Sequence, residues 1–305
     1  MKKLTTIIAA MAAVLLTGAC NKAEVEHEGS AVTLDYTVSV TEAATKAIGD
    51  GTTVDKMVYA IFNEGGAQVG KTNIVNKTGN SFSFSPALYY GQTYTIALFA
   101  YKDGAYNVDY ITAITRIKNG EAADAFAHKE TVKITQDGMS INGGTPEATS
   151  IRSVQLTRPM AQLAVGTENL DDLTNSGVTK VEVTVDGYDV ASYNCKERTC
   201  KKDNGAALTY EMLVSELTSN TFTVNSTDYN YVSVNYLFPT AVKTVVITLK
   251  KKDGTVVRTI TLDNVPFEAN KKTQIYGNLV KGDITFNVSI NKDFSTEVTE
   301  KPIQQ

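Results

Sequence analysis

The chain has 305 residues, with 29 Lys and Arg against 33 Asp and Glu, for a net charge of −4. So balanced a charge offers no basic face and argues against a nucleic-acid partner. The 15 Tyr and 10 Phe, the abundant Thr and Val and the absence of Trp make a composition rich in strand formers.

Lys2 and Lys3, then a mostly apolar run from Leu4 to Leu16, make a targeting segment too short to span a bilayer after processing. Thr17, Gly18 and Ala19 stand directly before Cys20 in the manner of a lipobox, so residues 1–20 are read as a lipoprotein signal peptide with Cys20 as the lipidated residue. An ordinary signal peptide with an incidental cysteine is the alternative. No later stretch approaches about 18 consecutive apolar residues. Residues 21–30 (NKAEVEHEGS) form a short acidic tether.

Ala31 to Val40 (AVTLDYTVSV) alternates strictly. Val32, Leu34, Tyr36, Val38 and Val40 face one way, and Thr33, Asp35, Thr37 and Ser39 the other. A period of two marks a strand with one buried face. Just beyond it, Lys46-Ala47 in EAATKA is a candidate site for a trypsin-like protease.

KMVYAIF, Ser81 to Phe84, YTIALFAY and TVKIT read as further strands, while NGEAADAFAH (119–128) reads as a short helix or loop. The turn formers of QDGMSINGGTPEATS close a first half at residue 150, giving a sandwich over 31–150 and a second over 151–305. The second half opens with SVQLTRPMAQLAVG, two strand pieces joined at Arg158-Pro159. ENLDDLTNSG is a turn or short helix, VTKVEVTVDGY alternates cleanly, and TYEMLVSEL has weak helical spacing. KKDG between two alternating runs marks a hairpin. DITFNVSI near the end presents Ile284, Phe286, Val288 and Ile290 on one face.

Cys195 and Cys200 (CKERTC) are expected to form a disulfide, because two nearby cysteines outside the cytoplasm usually pair and no further ligands complete a metal site. GGAQVGKT (65–72) satisfies the phosphate-loop pattern with Lys71, but the residues after it carry no amphipathic helix, so a glycine-rich hairpin is expected. The only histidines are His27 and His128, with no HExxH and no G-x-S-x-G, and no carboxylate pair stands out. The expectation is a non-enzyme with no catalytic residues, no metal and no cofactor.

The lipobox at Cys20, KMVYAIF, YTIALFAY, the DAF of 124–126, LTRPMAQLAVGT (156–167), KKTQIYGNLV (271–280) and the closing FNVSINKDF, in that order, resemble the fimbrillin superfamily of Bacteroidales. These are the subunits and anchors of protease-assembled pili. The resemblance implies an all-β fold of two tandem transthyretin-like Greek-key β-sandwich domains. It also implies export as a lipoprotein to the outer membrane and cell surface, with other pilus subunits as partners. The acidic tether is similar to the export signal of surface lipoproteins in Bacteroidetes.

For stalk subunits, the resemblance implies a cut in the loop after the first strand, which Lys46-Ala47 fits. Losing Ala31 to Val40 would expose a groove flanked by unpaired backbone groups, an edge that accepts a strand from another chain. Ile284, Phe286, Val288 and Ile290 are the candidate donor strand. The alternative is an uncleaved, lipid-anchored anchor or accessory protein, or a surface lipoprotein binding a host or bacterial ligand such as glycan, with Tyr188, Tyr193, Tyr229 and Tyr231 offered for stacking.

Overall fold

A computed structural model describes residues 29–40, 51–281, 287–292 and 298–302; for the last two segments it gives the strand pairing only. The first strand breaks at Leu34 into β1 (Ala31–Thr33) and β2 (Asp35–Val40). β3 (Lys56–Asn63) and β4 (Gln68–Asn76) form a hairpin, followed by β5 (Ser81–Phe84), β6 (Ala87–Tyr89) and β7 (Thr93–Tyr101). A small pair, β8 (Tyr106–Asn107) and β9 (Thr115–Arg116), precedes a 3₁₀ turn at Gly120–Ala123. Then come β10 (Ala125–Thr135), β11 (Gly138–Ile141), β12 (Ile151–Leu156) and β13 (Ala161–Thr167).

After α1 (Leu170–Asn175) the chain is again nearly all strand: β14 (Lys180–Asn194), β15 (Thr199–Leu213), β16 (Thr221–Val224), β17 (Thr227–Leu237) and β18 (Thr240–Lys250). β19 (Val256–Phe267), β20 (Lys271–Gly277), β21 (Asn287–Lys292) and β22 (Val298–Pro302) complete it. The expected all-β class is what the structure has.

Four sheets build the body. A three-stranded sheet runs β12-β2-β5, a five-stranded one β11-β10-β7-β3-β4, a six-stranded one β16-β17-β13-β20-β21-β22, and a four-stranded one β15-β14-β18-β19. The five-stranded sheet is covered on both faces. Met57, Ile96, Leu98 and Phe126 share a core with the three-stranded sheet. Val58, Ala60, Ala97 and Phe99 point into a second core that also takes in Ala164, Tyr231 and Tyr236 of the six-stranded sheet. The other face of that sheet, with Leu163, Val165 and Val232, closes a third core on Val181, Val183 and Ile247. Burial on both faces explains why YTIALFAY and AQLAVGT are continuous apolar runs rather than alternating ones.

Several expectations change. Within 119–128 only Gly120–Ala123 is helical, and AFAH already belongs to β10, where its small and aromatic residues pack on both faces. TYEMLVSEL is strand to Leu213 and then a 3₁₀ turn at Val214–Glu216, because pairing of β15 along β14 outweighs its weak helical spacing. The turn-rich run before residue 150 includes β11, paired with β10. Ile151–Leu156, read as the opening of the second half, pairs in parallel with β2 of the first, and Val154 and Leu156 lie in the same core as Leu34 and Tyr36.

Candidate strand slot

The alternation of the first strand is realised in three dimensions. Leu34, Tyr36, Val38 and Val40 are buried, Val32 is half-buried, and Thr33, Asp35 and Thr37 are exposed. β1 pairs with β6, setting Val32 opposite Leu88. β2 lies between two strands, antiparallel to β5 (Tyr36 opposite Phe84) and parallel to β12 (Tyr36 opposite Arg152). The amide of Leu34 donates to the Pro86 carbonyl at 3.0 Å and that of Asp35 to the Ser150 carbonyl at 2.7 Å. β5 and β12 are joined in their sheet only through β2, so β2 is the middle of the sheet rather than its edge. Taking it away leaves two strands with facing rows of unpaired backbone groups over an apolar floor.

Beneath β2, Tyr36 stacks on Phe84 at 4.6 Å between ring centres, and Phe84 stacks on Tyr59 at 4.1 Å. The Tyr36 hydroxyl donates to Glu130 Oε1 at 2.9 Å. Glu130 is 1% exposed. Its Oε2 accepts from Arg152 Nη2 at 2.7 Å and Nε at 3.1 Å, and from His128 Nε2 at 3.2 Å. Burial alone would raise the Glu130 carboxyl, but the hydrogen bonds from His128 and Arg152 reverse this and hold it at about 2. Burial, with the Glu130 charge beside it, pushes the Tyr36 hydroxyl well above its ordinary value, so it stays protonated and remains a donor. At the head of the slot a cavity of about 290 Å³ opens beside Val32 and Leu34, lined also by Ile134 and Met139.

The sequence reading missed Glu130 and Arg152. The signal was present: Glu130 falls in phase with Phe126, Val132 and Ile134 on β10, and Arg152 in phase with Val154 and Leu156 on β12. A charge set on a core-facing phase of each of two strands is the mark of a buried ion pair.

Other candidate residues fall elsewhere. Cys20, His27, Lys46, Ala47, Ile284 and Phe286 lie outside the described residues. Val288 and Ile290 sit on β21 opposite Ile275 and Thr273, with β22 on the other side. Cys195 and Cys200 are free thiols, contrary to the expected disulfide. The hairpin register places Cys200 opposite Tyr193, and the Cys195 thiol lies 3.1 Å from the Leu98 carbonyl.

The tyrosines offered for glycan stacking are interior. Tyr188, Tyr193, Tyr229 and Tyr231 are all less than 10% exposed, with Tyr193 stacked on Phe238 and Tyr229 against Tyr276. GGAQVGKT runs from the β3–β4 turn into β4, so strand replaces the helix that a phosphate loop requires, and Lys71 is a strand residue.

Among solved structures, a fimbrial assembly protein from Parabacteroides distasonis ATCC 8503 aligns over 90% of this chain and 100% of its own, at 14% identity and a TM-score of 0.49. The tip fimbrial protein Mfa3 from Porphyromonas gingivalis aligns over 86% and 100%, at 12% identity and a TM-score of 0.47. The fimbrial anchor protein Mfa2 of the same organism aligns over 85% and 98%, at 10% identity and a TM-score of 0.43. No curated protein matches the chain. The model of DUF6562, a family of unknown function, matches residues 23–304, and the chain belongs to that family.

Proposed function

We propose that this protein is a structural subunit of a cell-surface fimbria. In this reading it is exported as a lipoprotein through Cys20, cut after Lys46 and assembled with other pilus subunits by strand exchange. The observation that carries the reading is the position of β2, the central strand of a three-stranded sheet, hydrogen-bonded to β12 on one side and to β5 on the other. A removable strand at that place leaves a slot with hydrogen-bonding walls on both sides, so a replacement gains backbone bonds to β5 and β12 together. Four buried side chains, Leu34, Tyr36, Val38 and Val40, supply the floor contacts, each contributing roughly 1.5–3 kcal/mol on full burial. Ordering the incoming strand offsets part of that gain.

The direct test is N-terminal sequencing and intact mass of protein sheared from cells. A chain beginning at Ala47 is expected. Material beginning only at a lipid-modified Cys20 overturns the cut.

A second reading keeps the strand in place and makes the chain a lipid-anchored fimbrial anchor or accessory protein. The Tyr36–Glu130–Arg152 cluster favours it, because a polar clasp inside the slot opposes release of the resident strand. The same measurement separates the two readings.

A further inference from the structure

Glu130 is a buried charge in the floor of an otherwise apolar slot, and one of its hydrogen-bond donors belongs to the occupant. When Tyr36 leaves with its strand, Oε2 keeps Arg152 and His128. For Oε1, the Arg152 Nε contact at 3.3 Å remains, while the 2.9 Å hydroxyl bond is lost. An occupant presenting Phe, Leu or Val at that place covers a carboxylate oxygen with hydrocarbon and returns no donor, which leaves a buried acceptor short of a partner. An occupant presenting tyrosine restores the bond and also the stack on Phe84.

Resting on the strand-exchange reading, we propose that Glu130 makes the slot selective. Its partner is a strand from a different protein, with five alternating inward side chains of which the third is tyrosine and the others are apolar. The strand it replaces runs parallel to β12 and antiparallel to β5. The chain's own alternating segment, with Ile284, Phe286, Val288 and Ile290, offers no hydroxyl on its apolar face. Filling one copy with the tail of another is therefore disfavoured.

Two measurements on the full chain test this. In the first, Tyr36→Phe is introduced into the wild type and into a background carrying both Glu130→Met and Arg152→Met, which removes the two charges together. The folding equilibrium constant is expected to fall about tenfold to a hundredfold in the wild type, as for loss of a hydrogen bond to a charged group, and to change little in the double background. Equal falls in both overturn the selectivity.

In the second, the chain opened at Lys46 by limited proteolysis is given synthetic Ala31–Val40 peptide, either with its tyrosine or with phenylalanine in that place. The tyrosine peptide is expected to dissociate at least about tenfold more slowly. Equal dissociation overturns the selectivity but leaves strand exchange standing. Capture of neither peptide overturns strand exchange and the proposed partner together.

Discussion

Arg158 grips Asp124 with both prongs of its guanidinium: Nε lies 2.7 Å from Oδ1 and Nη2 2.8 Å from Oδ2, with the two side chains only 5% and 2% exposed. The guanidinium also lies over the Phe126 ring, 4.4 Å from its centre. This fork ties the start of β10 to the bend between β12 and β13. Removing one partner strands a buried charge, so Arg158→Met or Asp124→Leu alone is expected to cost about 3–5 kcal/mol in urea unfolding. The double replacement is expected to cost clearly less than the two single costs added.

Glu130 sets an acid limit on stability. Its folded carboxyl sits at about 2 against an ordinary value of 4.5, so the unfolded chain binds its proton first as pH falls. The contribution is fully present above pH 4.5 and fades as pH drops toward 2. Urea midpoints for wild type and Glu130→Gln should differ most above pH 4.5 and converge below it. A constant difference down to pH 2 would contradict the assignment.

The first strand should show a two-period pattern in its mutational response. Leu34→Ala removes a fully buried side chain and is expected to cost about 2–5 kcal/mol. Thr37→Ala, on the exposed face, should stay within about 0.5 kcal/mol of wild type. Thermal or urea unfolding of the two variants checks the contrast.

Gly51 closes the far end of the slot. Its φ is +78°, and a Cβ there would lie 2.9 Å from Val40 Cγ1 and 3.0 Å from Phe126 Cζ. Gly51→Ala combines left-handed backbone strain with a clash against the last inward residue of the strand. A loss of about 1–3 kcal/mol is expected by the same assay.

The thiols are distinguishable by labelling. Burial pushes Cys195 up to about 12 and Cys200 up to about 11, so at pH 8 both are protonated and slow to alkylate in the folded protein. After unfolding without reductant, both should carry label, as located by peptide mapping. Label at neither, until reductant is added, would restore the disulfide.

Local pattern carried much of the fold. Strict alternation marks β2 and β14, KKDG (251–254) marks the turn between β18 and β19, and the dense apolar runs mark β7 and β13. Partnership was illegible because no local signal records which strand a segment will lie beside, and a parallel pairing leaves no hairpin turn to read. By local pattern alone, Ile151–Leu156 therefore reads with the residues that follow it, whereas its partner is β2. The clasp was half legible. Glu130 and Arg152 each break an apolar phase, but their meeting depends on that same pairing.

The pairing of β2 with β12 joins residues far apart in sequence, Val38 with Val154 and Ser39 with Gln155, and the Ser39 hydroxyl donates to the Val154 carbonyl 115 positions on. While the chain is emerging, its N-terminal strand therefore has no finished berth until synthesis passes Leu156, and closing so long a loop makes its docking a late event in folding. A fragment ending at Ser150 would hold every inward residue of that strand yet lack the wall it runs beside, and should prove prone to aggregate.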